Sequence, residues 1–562
     1  MGRGNFKKKL PLILPIAVLG TGFVLTGITG KVEARKGQVH EWELVDKETC
    51  FACHGEIKAF KTRGKHQNLN CGVCHSELEA HLGNPVRVKA KTKIDHAVCG
   101  QCHKDQYESF ISSYYKKNVL QEKSTPQGRS PILFDNIMRP HGFTREHAEP
   151  RSHVFALVDH LRVDRAYGGR FRPITWYALF DEKLAAKSAW EILYDKDPKS
   201  NEQKIFPPFT PRTAATAANP VCLHCKTSDL VLKWAYMGDK NPKAKWDRTS
   251  PVVDVARDTK LGFSCIQCHD PHSTEPRVIR DALIEAVVDR KMGTYPYDPE
   301  KSSRITMQKV TFRDFRAIGI LNKPDAVLMC AQCHVEYNCN PGIDTKTGQP
   351  VTMADRRTNW FPWVNVFDAL KAFDSINFRD FRHEVTGALL PKIQHPEVEV
   401  FWGSKHERAG LTCADCHMPK VKGKDGKVYT FHGARSPRYL PGGFQVCTRC
   451  HTGWTPEDAQ NVVDGIKNYV RGKMRKAEFW ISKLIDTYQL AQAVGVSEDV
   501  LKRARDLHAQ AHVYWEWWTA ENSDGFHNPD QAIASLNKAI QLAIDGVTQL
   551  EKAIRERQTA KK

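Results

Sequence analysis

The spacing of cysteine constrains this chain more than any other feature. Sixteen of its 17 cysteines fall in pairs three residues apart. Seven pairs are followed by histidine: Cys50-x-x-Cys53-His54, Cys71-x-x-Cys74-His75, Cys99-x-x-Cys102-His103, Cys265-x-x-Cys268-His269, Cys330-x-x-Cys333-His334, Cys413-x-x-Cys416-His417 and Cys447-x-x-Cys450-His451. The eighth reads Cys222-Leu223-His224-Cys225-Lys226. C-x-x-C-H reads as c-type haem attachment, in which two thioethers fix the porphyrin and the next residue ligates iron. Structural zinc would need two pairs closing on one ion, and a histidine after each pair adds nothing to that arrangement. A chain that must surround eight covalently bound haem c groups has little room for a protein-only core. Three motifs lie within 54 positions, from Cys50 to His103, so haem faces must supply much of the buried apolar surface there. No period-two alternation is sustained, so sheet content should be low.

The N-terminus points to export. Arg3, Lys7, Lys8 and Lys9 precede an apolar run from Leu10 to about Gly30, and Val32-Glu33-Ala34 offers small residues for cleavage. The run is also long enough to serve as an uncleaved membrane anchor. Either way the expected location is periplasmic. The domain reading is 1–34 export segment, 35–120 N-terminal three-haem domain, 121–455 catalytic five-haem core and 456–562 C-terminal helical region. In that last region Ile466, Val470, Ile481, Leu484, Ile485 and Tyr488 recur at helical spacing, ending near Gly495. Ser497 suits the N-cap of a second helix to about Thr519, and Asn528-Pro529 the start of a third to about Arg555. The fold class is therefore a mostly α multihaem cytochrome c with little sheet, a haem-packed core and long C-terminal helices. The formal charge of +19 does not call for nucleic acid, because each ferric haem with ionised propionates brings about −1. The excess that remains suits an anionic substrate or an acidic redox partner.

Haems with two imidazole ligands transfer electrons and leave no open position. Of 24 histidines seven end motifs, and the candidate distal ligands among the rest are His66, His81, His96, His272, His383, His406, His432 and His527. Lys226 is different. A primary amine ligates iron only when deprotonated, so its site must favour the neutral form. The return is a changed axial donor opposite an open position where a substrate can bind. His224, inside the same motif, reads as a plain polar residue. One open haem fed by seven closed ones suits a reaction that consumes many electrons, such as the reduction of nitrite to ammonium. That chemistry needs a cation to hold the anion, and proton donors beside it.

From about residue 145 to 530 the chain resembles the pentahaem ammonia-forming cytochrome c nitrite reductases. The resemblance rests on motif order and on local wording: the C-x-x-C-K first, then Cys265 to His272 as C-I-Q-C-H-D-P-H, Cys330 to Tyr337 as C-A-Q-C-H-V-E-Y, Lys392-Ile393-Gln394-His395-Pro396, Cys413 to Pro419 as C-A-D-C-H-M-P, and Glu521 to Pro529 as E-N-S-D-G-F-H-N-P. With three further haem motifs in front, the whole is similar to the octahaem nitrite reductases. The resemblance implies that Arg151 holds the substrate, although Ser152 departs from the family's R-G-H. It implies that Tyr337 and His395 are the catalytic tyrosine and histidine, and that Lys226 ligates the active haem. It also implies a calcium ion on Glu336 and Gln394, with the carbonyls of Tyr337 and Lys392. All-oxygen ligation suits that ion. Cys339, the seventeenth cysteine, matches the octahaem members' thioether to the tyrosine; a crosslinked Tyr337 would be a stronger acid.

The octahaem hydroxylamine and hydrazine oxidoreductases share this plan but keep histidine at the active haem, and Lys226 departs from them. A reductase of hydroxylamine or sulfite, and a non-enzymatic electron conduit, are further readings. The partners expected are nitrite, a cytochrome or quinol dehydrogenase as electron donor, and copies of the chain itself in a trimer or hexamer. No nucleic acid is expected.

Overall fold

The computed structural model describes residues 42–112 except 94, with 133, 136–139, 153–156 and 219–560 except 252, 253, 256 and 257. It also describes the backbone of four short strands, Lys31–Ala34, Gln38–Glu41, Tyr194–Lys196 and Gln203–Ile205. The export segment before residue 31 and Arg151 lie outside the described residues. The chain divides into two compact units, one of 1–53 with 69–92, the other of 54–68 with 93–562. Among the described residues no helix is long and apolar enough to cross a membrane.

In the smaller unit, Asn70 ties the Cys71 motif to the segment before Cys50. Its amide donates to the Val45 carbonyl (2.7 Å) and accepts from the Val45 N–H (3.3 Å). The Glu43 carboxylate accepts from the N–H groups of Glu77 and Leu78 at 3.0 and 2.6 Å. The thiols of Cys50 and Cys71 lie against each other.

Among the described residues the larger unit has, besides a small cluster of Phe110 and Val154, two large apolar cores. One surrounds the motifs at Cys222, Cys265 and Cys330 and includes Trp234, Ile284, Leu328 and Trp363. The other belongs to three long helices: α1 (Pro456–Val494), α2 (Glu498–Ala520) and α3 (Pro529–Ala560). Helix α1 starts with a capping box, Thr455 and Asp458 each satisfying the other's amide, and proline follows at the first helical position. It ends at Gly495 in the left-handed conformation, φ 80°. Ser497 occupies the N-cap of α2, but its side chain makes no capping bond. Asn528 caps α3 through Gln531 N–H at 3.3 Å, and α3 runs on past Arg555 to Ala560. The stripe of Ile481, Leu484 and Tyr488 packs with Trp515, Trp518, Leu536 and Leu550, all at most 1 % exposed. Each such side chain contributes on the order of 1.5–3 kcal/mol by burial.

Sheet is confined to ribbons of two or three strands among the described residues. One of them positions the site. Arg277–Val278, Arg316–Leu321 and Met307–Phe312 form an antiparallel sheet with Arg316–Leu321 in the middle, buried along its whole length. The architecture is the mostly helical one, with long C-terminal helices, that the sequence implies.

Candidate active site

Each attachment motif begins on about one helical turn. In six of the eight the second cysteine's N–H donates to the first cysteine's carbonyl, at 3.1–3.2 Å. The turn sets the two thiols on one side, as covalent attachment to a single porphyrin requires. In four motifs the histidine N–H also bonds back to the first cysteine: His103, His269, His334 and His451 at 2.9–3.1 Å. The amide of Lys226 instead closes on Leu223, at 2.9 Å.

Iron–imidazole bonds of about 2.0 Å place two axial rings with centroids roughly 6 Å apart. Five pairs in the larger unit that set a motif histidine against one outside the motifs have that separation. They are His66 with His103 (6.1 Å), His153 with His334 (6.3 Å), His269 with His432 (6.4 Å), His406 with His451 (6.4 Å) and His417 with His527 (6.1 Å). His508 and His512, at 6.2 Å, are neighbours on one helix and include no motif histidine. The ring tautomers suit ligation too. Nδ1 donates to a backbone carbonyl in His66 (Pro271), His417 (Arg435) and His432 (Thr430), at 2.7–2.9 Å, which leaves the Nε2 lone pair for iron. His334 has the Glu397 carboxylate 3.6 Å from Nδ1. Burial keeps His153 and His269 neutral, with pKa values lowered to about 4. These residues suit haem as a group.

Of the remaining distal candidates, His81 shows the same tautomer, Nδ1 to the Val88 carbonyl at 2.7 Å. His96 is buried and stacks on Tyr107 at 5.7 Å. His272 places Nδ1 3.8 Å from Asp270. The structure puts His383 elsewhere, in the helical core against His508 (5.0 Å). Its Nε2 donates to the Asn136 carbonyl, and Nδ1 accepts from the amides of Val385 and Thr386. Neither nitrogen keeps a lone pair for a metal.

Around the lysine motif the fold gathers residues far apart in sequence. Tyr337 is 5 % exposed and its ring lies 6.3 Å from that of His395. The link is the Glu336 carboxylate, which accepts the Gln394 N–H at 2.5 Å, and Val398 N–H, which donates to the His334 carbonyl at 3.1 Å. Asn338 bridges Trp360 in an extended pairing. Tyr337 and Cys339 therefore share one face of the backbone. Cys339 touches the thiol of Cys222. Asn219 caps the turn that carries Cys222, accepting from Val221 N–H at 3.0 Å, and its amide donates to the Cys339 carbonyl and to Asn340. The lysine motif and the tyrosine strand are thus pinned together. Burial raises the Tyr337 pKa, the Cys339 thiol adds to the rise, and Arg280, 5.2 Å above the ring, opposes it.

A family model described as cytochrome c552 matches residues 202–562, well over half of the chain. The chain belongs to the cytochrome c552 family. It is 27 % identical over 473 residues to the cytochrome c nitrite reductase subunit NrfA of Nitratidesulfovibrio vulgaris, covering 78 % of this chain and 75 % of that one. It is 28 % identical over 361 residues to cytochrome c-552 of Haemophilus influenzae, spanning 60 % of each chain. In structure it is similar to the catalytic subunit of cytochrome c nitrite reductase from Desulfovibrio desulfuricans, described with two calcium sites. That match has a TM-score of 0.55 and 21 % identity, over 82 % of this chain and 86 % of that one. The structural likeness shows the fold.

In this family member, Glu336 and Gln394 lie side by side, the Gln394 N–H donating to Glu336 Oε2, and Glu336 Oε1 is buried without a partner; the Gln394 side chain could add its amide oxygen. Burial pushes the Glu336 carboxyl far up, Glu399 and Asp380 add to the rise, and the Gln394 amide and Lys392 oppose it; a bound cation would counter that rise. Among the described residues no three His, Cys, Asp or Glu side chains converge on one point, so a cation here would draw on the carbonyls as well. The site suits calcium in this sense. Glu399, 0 % exposed with Oε2 bare, accepts the Glu336 N–H at 3.0 Å.

Sequence reasoning missed several of these residues. His153 stands opposite His334, yet its only signal was its place after Arg151. Gln267 and Gln332 fill variable positions of two motifs and connect three. Gln267 binds Ser228 (2.7 Å) and the His224 carbonyl (3.3 Å), while Gln332 binds the Gln267 carbonyl (3.2 Å) and Ile279 N–H (2.7 Å). His224 is 2 % exposed, packed edge-on against Trp234 at 4.1 Å.

Proposed function

We propose that this protein is an exported ammonia-forming nitrite reductase that carries eight covalent haem c groups and one calcium ion. The observation that carries the reading is the meeting of Tyr337 and His395, 58 positions apart, beside the one attachment motif that ends in lysine. The names of its relatives support the same substrate. The attachment motifs would hold haems that pass electrons on from a donor, and Lys226 would be the protein's ligand to the one attached at Cys222 and Cys225. Arg151 is assigned to hold the anion. His395, half-buried, and the Tyr337 phenol are assigned to deliver protons. A phenol pushed up by burial stays protonated at neutral pH and can donate. A Tyr337–Cys339 thioether, which their shared face permits, would counter that rise. Glu336, Gln394 and the carbonyls of Tyr337 and Lys392 would hold calcium and so fix the tyrosine. Hydroxylamine and sulfite are further substrates of the same pocket. Electrons would come from a periplasmic cytochrome or quinol dehydrogenase, and the assembly would be a homo-oligomer.

The test is direct. Viologen-reduced holoprotein is mixed with nitrite, and reoxidation and ammonium are followed. Stoichiometric ammonium is expected, with a high-spin haem signal in the oxidised protein. Eight low-spin haems and no ammonium would refute the reading.

A further inference from the structure

The region between the Cys222 and Cys330 motifs carries more buried positive charge than its own carboxylates balance. Arg280 is 1 % exposed, and none of its three guanidinium nitrogens has a hydrogen-bond partner. Arg316 is also 1 % exposed; its Nη2 donates to the Ile279 carbonyl, while Nε and Nη1 are bare. The nearest carboxylate is Asp281, 3.8 Å from Arg316 Nη1. Asp281 is already engaged. Oδ2 accepts from the Trp234 indole (2.7 Å), and Oδ1 accepts from Ala282 N–H (2.9 Å) and the Asn359 amide (3.2 Å). Neighbouring Arg277 is paired with Asp270 at 2.8 Å and adds no free anion. Both ring nitrogens of His224 are bare as well. The neutral donors on Asp281 leave it one negative charge, so a single carboxylate, near Arg316, stands against two guanidiniums. Leaving a buried charge uncompensated costs several kcal/mol, so a fold that keeps Arg280 here must receive an anion.

The surroundings define that anion. Arg280 interacts with Cys225, Cys333 and His224, and its guanidinium lies 5.2 Å from the ring centroids of both Tyr337 and Phe361. It is walled off from solvent, which disfavours a substrate that must exchange and favours a resident group. A porphyrin fixed at Cys225 brings its own carboxylates.

We propose that Arg280 and Arg316 form the receptor for one propionate of the haem carried by Cys222 and Cys225. Arg280 is then a positioning residue: it holds that carboxylate and seats the face of Tyr337 against the same haem. This rests on haem attachment at the lysine motif and is independent of nitrite being the substrate.

The test is an EPR-monitored redox titration of holoprotein without nitrite, on wild type, R280Q and R280K, with haem content counted in each. Removing the charge stabilises the oxidised state of the high-spin haem by roughly tenfold, the order expected for loss of one unit charge near a buried site. R280K restores most of it, which a purely structural role would not predict. An unchanged high-spin potential in fully loaded R280Q overturns the proposal. So does a shift confined to a low-spin signal, which would give the carboxylate to the Cys330–Cys333 haem. If R280Q does not load, R316Q carries the same expectation, and an experimental structure of the wild-type holoprotein decides. A haem carboxylate on Arg280 supports the proposal; water, chloride or another acid there overturns it. Nitrite reduction is measured on the same preparations. Its absence from wild type sinks the proposed function alone, and an active R280Q with unmoved potential sinks the receptor alone.

Discussion

Replacing Asn219 should uncouple the lysine motif from the tyrosine strand. The side chain is 6 % exposed and does two jobs: Oδ1 caps the turn at Val221 N–H, and Nδ2 satisfies the buried Cys339 carbonyl and reaches Asn340 Oδ1 at 3.1 Å. In N219A the lost cap costs about 1 kcal/mol, and the orphaned carbonyl about 1–3 kcal/mol more. Together these are about 2–4 kcal/mol, or roughly a 30- to 1000-fold rise in local opening at 1.4 kcal/mol per decade. Hydrogen exchange at 221–226 and 338–340 reads that opening. A misplacement of about 1 Å at a reacting group costs on the order of 100-fold, so nitrite turnover should fall by that order with haem content unchanged. N219D separates the two jobs. It keeps the cap but turns a carboxylate oxygen toward the Cys339 carbonyl, so it should be at least as impaired as N219A. An N219D enzyme with wild-type turnover would refute the coupling and leave only a helix cap.

Four further outcomes follow from local geometry. A Cβ on Gly72 would lie 1.7 Å from the Glu43 carbonyl oxygen, backbone that cannot move aside, so G72A should lose haem at Cys71–Cys74 by peptide mass analysis; normal loading would contradict the packing. Asp270 and Arg277, each 3 % exposed at the side chain, pair at 2.8 Å. R277M should cost about 3–5 kcal/mol and a D270L/R277M double variant much less, measured by thermal inactivation; equal losses in both would count against the pair. Burial raises the Glu521 carboxyl from 4.5 to about 7, against amide donors at Ser523 and Gly525. Its contribution to stability is then fully present below pH 4.5 and lost as pH rises through about 7, so E521Q should flatten the stability profile in that window; an unchanged profile would argue against a protonated Glu521. E336Q should lower bound calcium by one equivalent in metal analysis after chelator dialysis, and unchanged content would remove Glu336 from the site.

Much of this was legible because the chemistry is written locally. A C-x-x-C-H needs only one turn, and Thr455, Gly495 and Asn528 mark helix ends by their own conformational preferences. His66, His406, His432 and His527 stand near motifs or in loops, and the fold sets each opposite a motif histidine. His383 has the same composition cue, but its ring orientation is fixed by the distant Asn136 carbonyl and by two amides, and nothing in the neighbouring sequence records that. Arg280, in Arg277-Val278-Ile279-Arg280, looks like an ordinary strand-end cation. Only the three-dimensional charge count, two guanidiniums against one aspartate, marks it out.

The variable positions inside the motifs carry the tertiary specificity that their fixed positions lack. Every motif offers the same two thiols, so thiols alone cannot tell the chain which porphyrin should lie beside which. Gln332 of one motif accepts from Ile279 N–H and donates to the Gln267 carbonyl of another, and Gln267 reaches the His224 carbonyl of the third. A buried amide satisfied on both sides fixes register, because any slip leaves donors and acceptors bare at about 1–3 kcal/mol each. The lysine motif sits at the end of this ladder and is wound differently, its Lys226 amide closing on Leu223 where four of the histidine motifs close on their first cysteine. A lysine arm is longer and more flexible than an imidazole, and the ligand role proposed for Lys226 would be served from this different backbone turn. The placing of the lysine motif is thus a property of three motifs and their glutamines, and not of one substituted residue.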